Sequence, residues 1–200
     1  MRISRTTTFS ISNAPENSLD PQSKLGFHIG GVAEYKFNDQ FAIAPELVIA
    51  TAGATFEGGE EEENHGYTST THFRKVDEKL MYLNFPILLK FYPNENLSIH
   101  FGPEIGFLLS AKYDSESESK IVDSTNGTVI YESSDSEDNT DVKDKINPTN
   151  LGISVGVEYK LENGLFFDAR YNLGLSNIAR ETSAIVRNNA IQIGVGFFFN

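Results

Sequence analysis

Four long spacers alternate with three very short ones along the chain, and every segment between them alternates apolar and polar residues. Eight segments can be marked, at roughly 2–12, 24–37, 41–55, 78–92, 97–112, 148–161, 165–177 and 188–199. The short connections are Asn38-Asp39-Gln40, Pro93-Asn94-Glu95-Asn96 and Glu162-Asn163-Gly164. They carry the residues of tight turns. The long connections fall at about 13–23, 56–77, 113–147 and 178–187. This spacing predicts an all-β fold, an eight-stranded antiparallel up-and-down β-barrel with one short rim and one elaborated rim. One domain over 1–200 accounts for the whole length. The segment 2–12 alternates only loosely, and without it the strand count falls to seven.

Side chains alternate across a strand, so every second residue shares a face. In 97–109 one face reads Leu97, Ile99, Phe101, Pro103, Ile105, Phe107 and Leu109. The other reads Ser98, His100, Gly102, Glu104, Gly106 and Leu108. The same division recurs in 81–91 and 191–199. The second face is rich in Gly, Ala and Ser, which suit a crowded concave interior, whereas soluble surfaces favour Lys, Glu and Thr. The bulky face is therefore read as outward and lipid-facing, giving a transmembrane barrel. Thirteen residues at about 3.3 Å each, tilted about 40–45°, rise roughly 30 Å, enough to cross an outer-membrane apolar band. Aromatic residues cluster near the short-turn rim, at Tyr35, Phe37, Phe41, Phe91, Tyr92, Tyr159, Phe166, Phe167 and 197–199, as in an interfacial belt. Pro45, Pro86 and Pro103 fall inside strand segments and predict bulges or bends there.

The same register sends Glu34, Lys36, Glu46, Lys90, Glu104, Glu158, Lys160, Asp168 and Arg170 inward. Charges removed from water must be paired. Arg170 and Lys90 are the cationic centres of an expected interior polar network, with Glu46, Glu104, Glu158 and Asp168 as partners. An eight-stranded barrel is just wide enough for its own side chains to fill, so the network reads as a structural plug rather than an ion path.

No motif for nucleotide, zinc or hydrolase chemistry is present, and the chain has no Cys. No catalytic residue, metal site or cofactor is assigned. His65 and His72 beside Glu60–Glu63 offer only an opportunistic metal site. Asp135, Glu137, Asn139 and Asp141 have the alternate spacing of a calcium loop without its Gly and closing Glu. Ser98, His100 and Glu104 share a face, but point inward near the short-turn rim, away from lipid substrates.

A net charge of −12 argues against nucleic acid. The acid is concentrated: residues 54–77 hold six and 113–147 hold ten of the 28 acidic residues. Within 113–147, Lys120-Ile121-Val122 and Val129-Ile130-Tyr131 flank an Asn126-Gly127 pair, which predicts a projecting hairpin. The Ser/Asp/Glu stretches 114–119 and 132–141 read as mobile. Met1-Arg2-Ile3-Ser4 leads into polar residues without an apolar leader, so the chain reads as the mature or trimmed form of an exported protein.

The segments resemble the PorT-like outer-membrane β-barrel proteins of Gram-negative bacteria. The residues that carry this are Gly26-Phe27-His28-Ile29-Gly30-Gly31, Pro45-Glu46-Leu47, the run from Leu83 to Lys90, Gly102-Pro103-Glu104-Ile105-Gly106, the run from Ala169 to Leu175, and 191–199. The resemblance implies short periplasmic turns, both termini in the periplasm and long loops outside the cell. It brings no reaction. The terminal Asn200 departs from the aromatic end common among such barrels. The expected function is a structural or binding role through acidic extracellular loops. Its surroundings are the lipid bilayer and lipopolysaccharide, with a protein or ligand partner at the loops. Two alternatives stand beside it, an outer-membrane enzyme acting on lipid or lipopolysaccharide, and a soluble lipocalin-like ligand-binding barrel.

Overall fold

The computed structural model describes residues 5–12, 20–64, 67–123, 125–180 and 185–199. Among the described residues thirteen strands form one sheet: β1 Arg5–Ser12, β2 Asp20–Gly26, β3 His28–Val32, β4 Tyr35–Lys36, β5 Phe41–Ala52, β6 Ala54–Glu57, β7 Gly59–Asn64, β8 Tyr67–Phe91, β9 Leu97–Asp123, β10 Val129–Asp141, β11 Thr149–Lys160, β12 Leu165–Gly174 and β13 Ile185–Phe197. A 3-10 turn, η1, spans Lys143–Lys145. No helix among the described residues is long and apolar enough to cross a membrane.

All pairings between strands are antiparallel. β8 pairs with β9, β9 with β11, β11 with β12, β12 with β13, and β13 with β1. β1 pairs in turn with β2, β2 with β6, and β6 with β8. The loosely alternating first segment is thus a strand: residues 5–12 pair throughout with 185–192.

The short connections are built as expected, each closed by an Asn side chain. Asn38 Oδ1 accepts from the N–H groups of Gln40 and Phe41 at 2.9 Å. Asn94 Oδ1 accepts from Asn96 and Leu97, and Asn163 Oδ1 from Leu165. Gly164 adopts φ +88°, open to glycine at no steric cost.

Several boundaries differ from the sequence reading. The segment 24–37 is broken into β2, β3 and β4. The stretches 56–77 and 113–147 are largely strand rather than loop. β8 begins at Tyr67 and β9 runs to Asp123. The acidic stretches 114–119 and 132–141, read as mobile, pair with one another from Tyr113↔Thr140 to Ser119↔Ser133. Backbone hydrogen bonds do not need apolar side chains once a turn has set the register. That turn is the Asn126-Gly127 one: Gly127 has φ +72°, and Asp123 N donates to Thr128 O at 2.9 Å.

The prolines also depart from expectation. The β5–β8 ladder skips Glu46 and Leu47, and the β8–β9 ladder skips Ile87 and Leu88, yet register is unchanged on either side. No bulge forms at Pro45, Pro86 or Pro103. A missing N–H interrupts a ladder without adding a residue to it. The register shifts of this ladder lie instead at His72/Arg74, with the extra residue on β8, and opposite Met81/Tyr82, with Leu109 the extra residue on β9.

Burial alternates residue by residue, with the bulky face outside. Phe101 is 57% exposed, Val155 49% and Ile193 61%, whereas Lys90, Ser98 and His100 are fully buried. Of the aromatic residues near the short turns, Tyr35, Phe37, Phe41, Phe91, Tyr159, Phe167, Phe197 and Phe199 are exposed. Tyr92 and Phe166 are corrections to the belt. Both are buried on the inner face, Phe166 against Phe198 with ring centroids 4.8 Å apart. Gly196 permits this, because a Cβ there would lie 2.2 Å from the Phe166 ring.

Candidate functional site

The inner face carries two ionic groups and a polar layer, each placed by strand parity. Nearest the short turns, Lys90 on β8 donates from Nζ to Glu158 Oε1 on β11 at 2.7 Å and to Glu34 Oε2 at 2.8 Å. Tyr92 donates its hydroxyl to the same Glu34 oxygen at 2.8 Å. Next, Arg170 on β12 grips Glu46 on β5 with both terminal nitrogens, at 2.9 and 3.1 Å. Its Nε donates to Asp168 at 2.8 Å. His100 Nε2 lies 3.5 Å from Asp168 Oδ2. Beyond these, Glu104 accepts from Ser154 Oγ and Asn172 Nδ2, both at 3.1 Å.

All six residues expected in the interior network, Glu46, Lys90, Glu104, Glu158, Asp168 and Arg170, therefore meet polar partners on the inner face. Glu46 and Lys90 sit on paired strands, as do Glu158 and Arg170, while the close contacts join Lys90 with Glu158 and Arg170 with Glu46. The cations reach past their neighbouring strands instead. Parity could also have found Tyr92, Ser154 and Asn172, which share the face of Lys90, Glu158 and Arg170. What parity cannot supply is the choice of partner. Gly156 sets part of it: a Cβ there would stand 2.6 Å from both Arg170 Cβ and His100 Nε2, so glycine leaves the room those side chains occupy.

Such pairs are strong only together. Attraction at low dielectric is offset by desolvation, and the remaining lone pairs must be satisfied. The bidentate Arg170–Glu46 contact meets that condition.

Ser98 and His100 are both fully buried on this face. Glu104 hydrogen-bonds Ser154 and Asn172. Asp135, Glu137, Asn139 and Asp141 lie along extended β10 rather than in a loop. Tyr113 donates its hydroxyl to Glu137. Asn139, at φ +55°, donates its N–H to Asp114 Oδ1 at 2.8 Å. Among the described residues no three His, Cys, Asp or Glu side chains are placed to hold a metal ion. His65 and the side chains of Glu60–Glu63 and His72 lie outside the described residues.

At the opposite end, the chain after β10 crosses the mouth. Val142 and Ile146 bury against Ala52, Ala54, Leu80, Tyr82, Leu108, Ala111 and Ile178. This segment is tied to 177–180: Asn147 N donates to Ile178 O at 2.8 Å, Arg180 N to Lys145 O at 2.9 Å, and Asn147 Nδ2 to Asn177 O at 2.8 Å. Above this apolar floor stands a cup of about 890 Å³, walled by β6, β8, β9, β10 and η1.

Several solved structures are similar. The structure of Ail, the attachment invasion locus protein of Yersinia pestis, aligns over 99% of this chain and 97% of that one, with 15% identity and a TM-score of 0.43. Ail in complex with the heparin analogue sucrose octasulfate aligns with 16% identity and a TM-score of 0.44 over the same shares. The NanC porin aligns over all of both chains with 7% identity and a TM-score of 0.27. No curated protein matches the chain in sequence. A family model for the outer membrane protein beta-barrel domain matches residues 3–180. That match covers most of the chain and places it in the outer membrane, against the soluble lipocalin-like alternative. The chain belongs to the outer membrane protein beta-barrel domain family.

Proposed function

We propose that the protein is a single-domain, eight-stranded closed barrel of the PorT-like kind in the outer membrane of a Gram-negative bacterium. Its interior is sealed, and its acidic outer rim is a binding surface. The pairing circuit from β8 through β9, β11, β12, β13, β1, β2 and β6 back to β8 supports eight staves, with β3 to β5 continuing two of them and β7 and β10 extending the rim. Its short turns face the periplasm and its long strands face outward from the cell.

The observation that carries the sealed reading is the Arg170–Glu46 contact. Both side chains are 1% exposed, and β12 and β5 share no pairing, so the contact spans the interior. Lys90 and Glu158, also buried and bonded, support the same closed interior. Purified protein in planar bilayers is expected to give no stable single-channel openings; such openings overturn the plug.

The binding role rests on the projecting sheet. β8, β9 and β10 run well past the apolar band. β10 is bonded only to β9 and carries Glu132, Asp135, Glu137, Asp138 and Asp141. The partner class is a cationic protein or ligand. Replacing 116–136 by Asn-Gly joins Ser115 to Glu137, which are already paired. The shortened barrel should fold and lose partner capture; unchanged capture removes the sheet from the function. No reaction is assigned to the chain, since Ser98 and His100 are sealed within the interior network.

A further inference from the structure

We propose that the cup above Val142 and Ile146 is a binding site for a small organic cation with an apolar body, its charge received by Glu78. The inference rests on the outward-facing mouth proposed above and deepens it by naming a ligand class.

Three observations converge. The cup is large enough, at about 890 Å³, for a ligand of a few hundred daltons. Its floor and one wall are apolar, from Val142, Ile146, Phe56 and Val76. Its charged groups are mainly acidic. Glu78 points into it from β8, paired across the ladder with Tyr113. Asp135 and Glu137 contribute from β10, against Lys145 alone from η1.

Glu78 is half-buried, whereas Asp135 and Glu137 are exposed, and three nearby acids are bonded. Glu137 accepts from Tyr113, Asp114 bonds Lys79, and Asp77 bonds Lys24 at 2.6 Å. Among the described residues no hydrogen bond reaches the Glu78 carboxylate. On the outward face of β8 the apolar row gives way after Met81 to exposed Lys79, so Glu78 stands beyond that row, and burial pushes its carboxyl up to about 7, with the Lys24 ammonium pulling partly back. A carboxylate held off water beside apolar surface is poorly stabilised until a cation arrives. The groups facing it are Lys24 from β2, Tyr113 from β9, Asp135 and Glu137 from β10, and Lys145 from η1. Their charges cancel, so ionised Glu78 leaves the cup net negative, and the field there favours cations and disfavours anions.

A cation received by ionised Glu78 binds more tightly as pH rises through about 7, and its binding releases a proton below that pH.

The test is isothermal titration calorimetry of the full chain in zwitterionic nanodiscs, with benzyltrimethylammonium as probe. Benzyl alcohol and benzenesulfonate serve as neutral and anionic controls, and empty nanodiscs as the partition control. Saturable binding of the cation is expected, tightening by up to about tenfold between pH 6 and pH 8. Glu78→Gln should hold the pH 8 affinity at its pH 6 level. Ser115→Trp, which fills the cup without changing its charge, should abolish binding at both pH values. Folding of each variant is checked by heat-modifiable gel mobility. Absence of saturation at pH 8, equal uptake of the sulfonate, or full binding by folded Ser115→Trp overturns the site. Unchanged pH dependence in Glu78→Gln overturns the role of that residue. Loss of partner capture on shortening the hairpin reports on the projecting sheet instead, so the two readings fail separately.

Discussion

Arg170 reaches from β12 to Glu46 on β5, two strands that never pair, and holds both carboxylate oxygens at 2.9 and 3.1 Å. The same guanidinium holds Asp168. One cation thus organises two buried carboxylates from opposite parts of the sheet.

Removing that cation should therefore cost far more than a surface ion pair. Arg170→Met takes from buried Glu46 and Asp168 the guanidinium that holds both and is expected to destabilise the barrel by about 3–5 kcal/mol. Adding Glu46→Gln and Asp168→Asn should recover most of that loss. Urea midpoints read by gel mobility check both. A triple variant no better than Arg170→Met would mean the carboxylates are not what suffers.

The outward orientation makes its own prediction. Val155 stands mid-strand in the lipid-facing row from Leu151 to Tyr159 and is 49% exposed. Val155→Arg should cost about 2–4 kcal/mol in a bilayer, the depth-dependent penalty for a charge on the lipid face of a barrel. An unchanged unfolding midpoint in liposomes would place this face in water.

Two glycines should respond oppositely to a methyl group. At Gly102 a Cβ would stand 1.9 Å from the Ile87 carbonyl oxygen. That close approach lies where the β8–β9 ladder is skipped beside Pro103. Gly102→Ala should cost about 1–3 kcal/mol as the two strands are forced apart. At Gly31 nothing lies within 4 Å. Gly31→Ala should be neutral, or stabilise by up to about 1 kcal/mol. Comparison of the two midpoints under one condition is sufficient.

Stability should depend on pH through Glu78. Its folded pKa of about 7 exceeds the ordinary 4.5, so the folded state binds the extra proton. Folding stability must then fall as pH rises from about 4.5 to 7, by at most about 3 kcal/mol. Glu78→Gln should flatten that slope. Asp114 acts with the opposite sign, since the hydrogen bond from Lys79 holds its carboxyl below the ordinary range. Denaturant midpoints at pH 5, 6, 7 and 8 separate the two, because Asp114 is ionised throughout.

Much of this was legible in the residues. The Asn-bearing short turns, the Asn126-Gly127 turn and the inward rank of charges all follow from local turn chemistry and a period of two. Both are properties of neighbours in sequence. The long strands were not legible. The runs of Ser, Asp and Glu in 114–119 and 132–141 offer no apolar face, and only pairing from an established turn makes them strand. Tyr92 and Phe166 carry inward parity with Lys90 and Asp168, but residue type hides it, because an aromatic ring suits either side of a strand near a rim.

By itself, then, the sequence determined the strand alternation, the tight turns and which side chains share a face, because backbone geometry imposes a period of two wherever a strand forms. Only the tertiary structure decided that Lys90 meets Glu158 and Glu34, that Arg170 meets Glu46, and that Val142 and Ile146 floor an acidic cup. Those contacts join residues 56 to 124 positions apart, or place the chain after one hairpin across the whole mouth. Curvature and stagger of the sheet set them, and neither is written in any local stretch of residues.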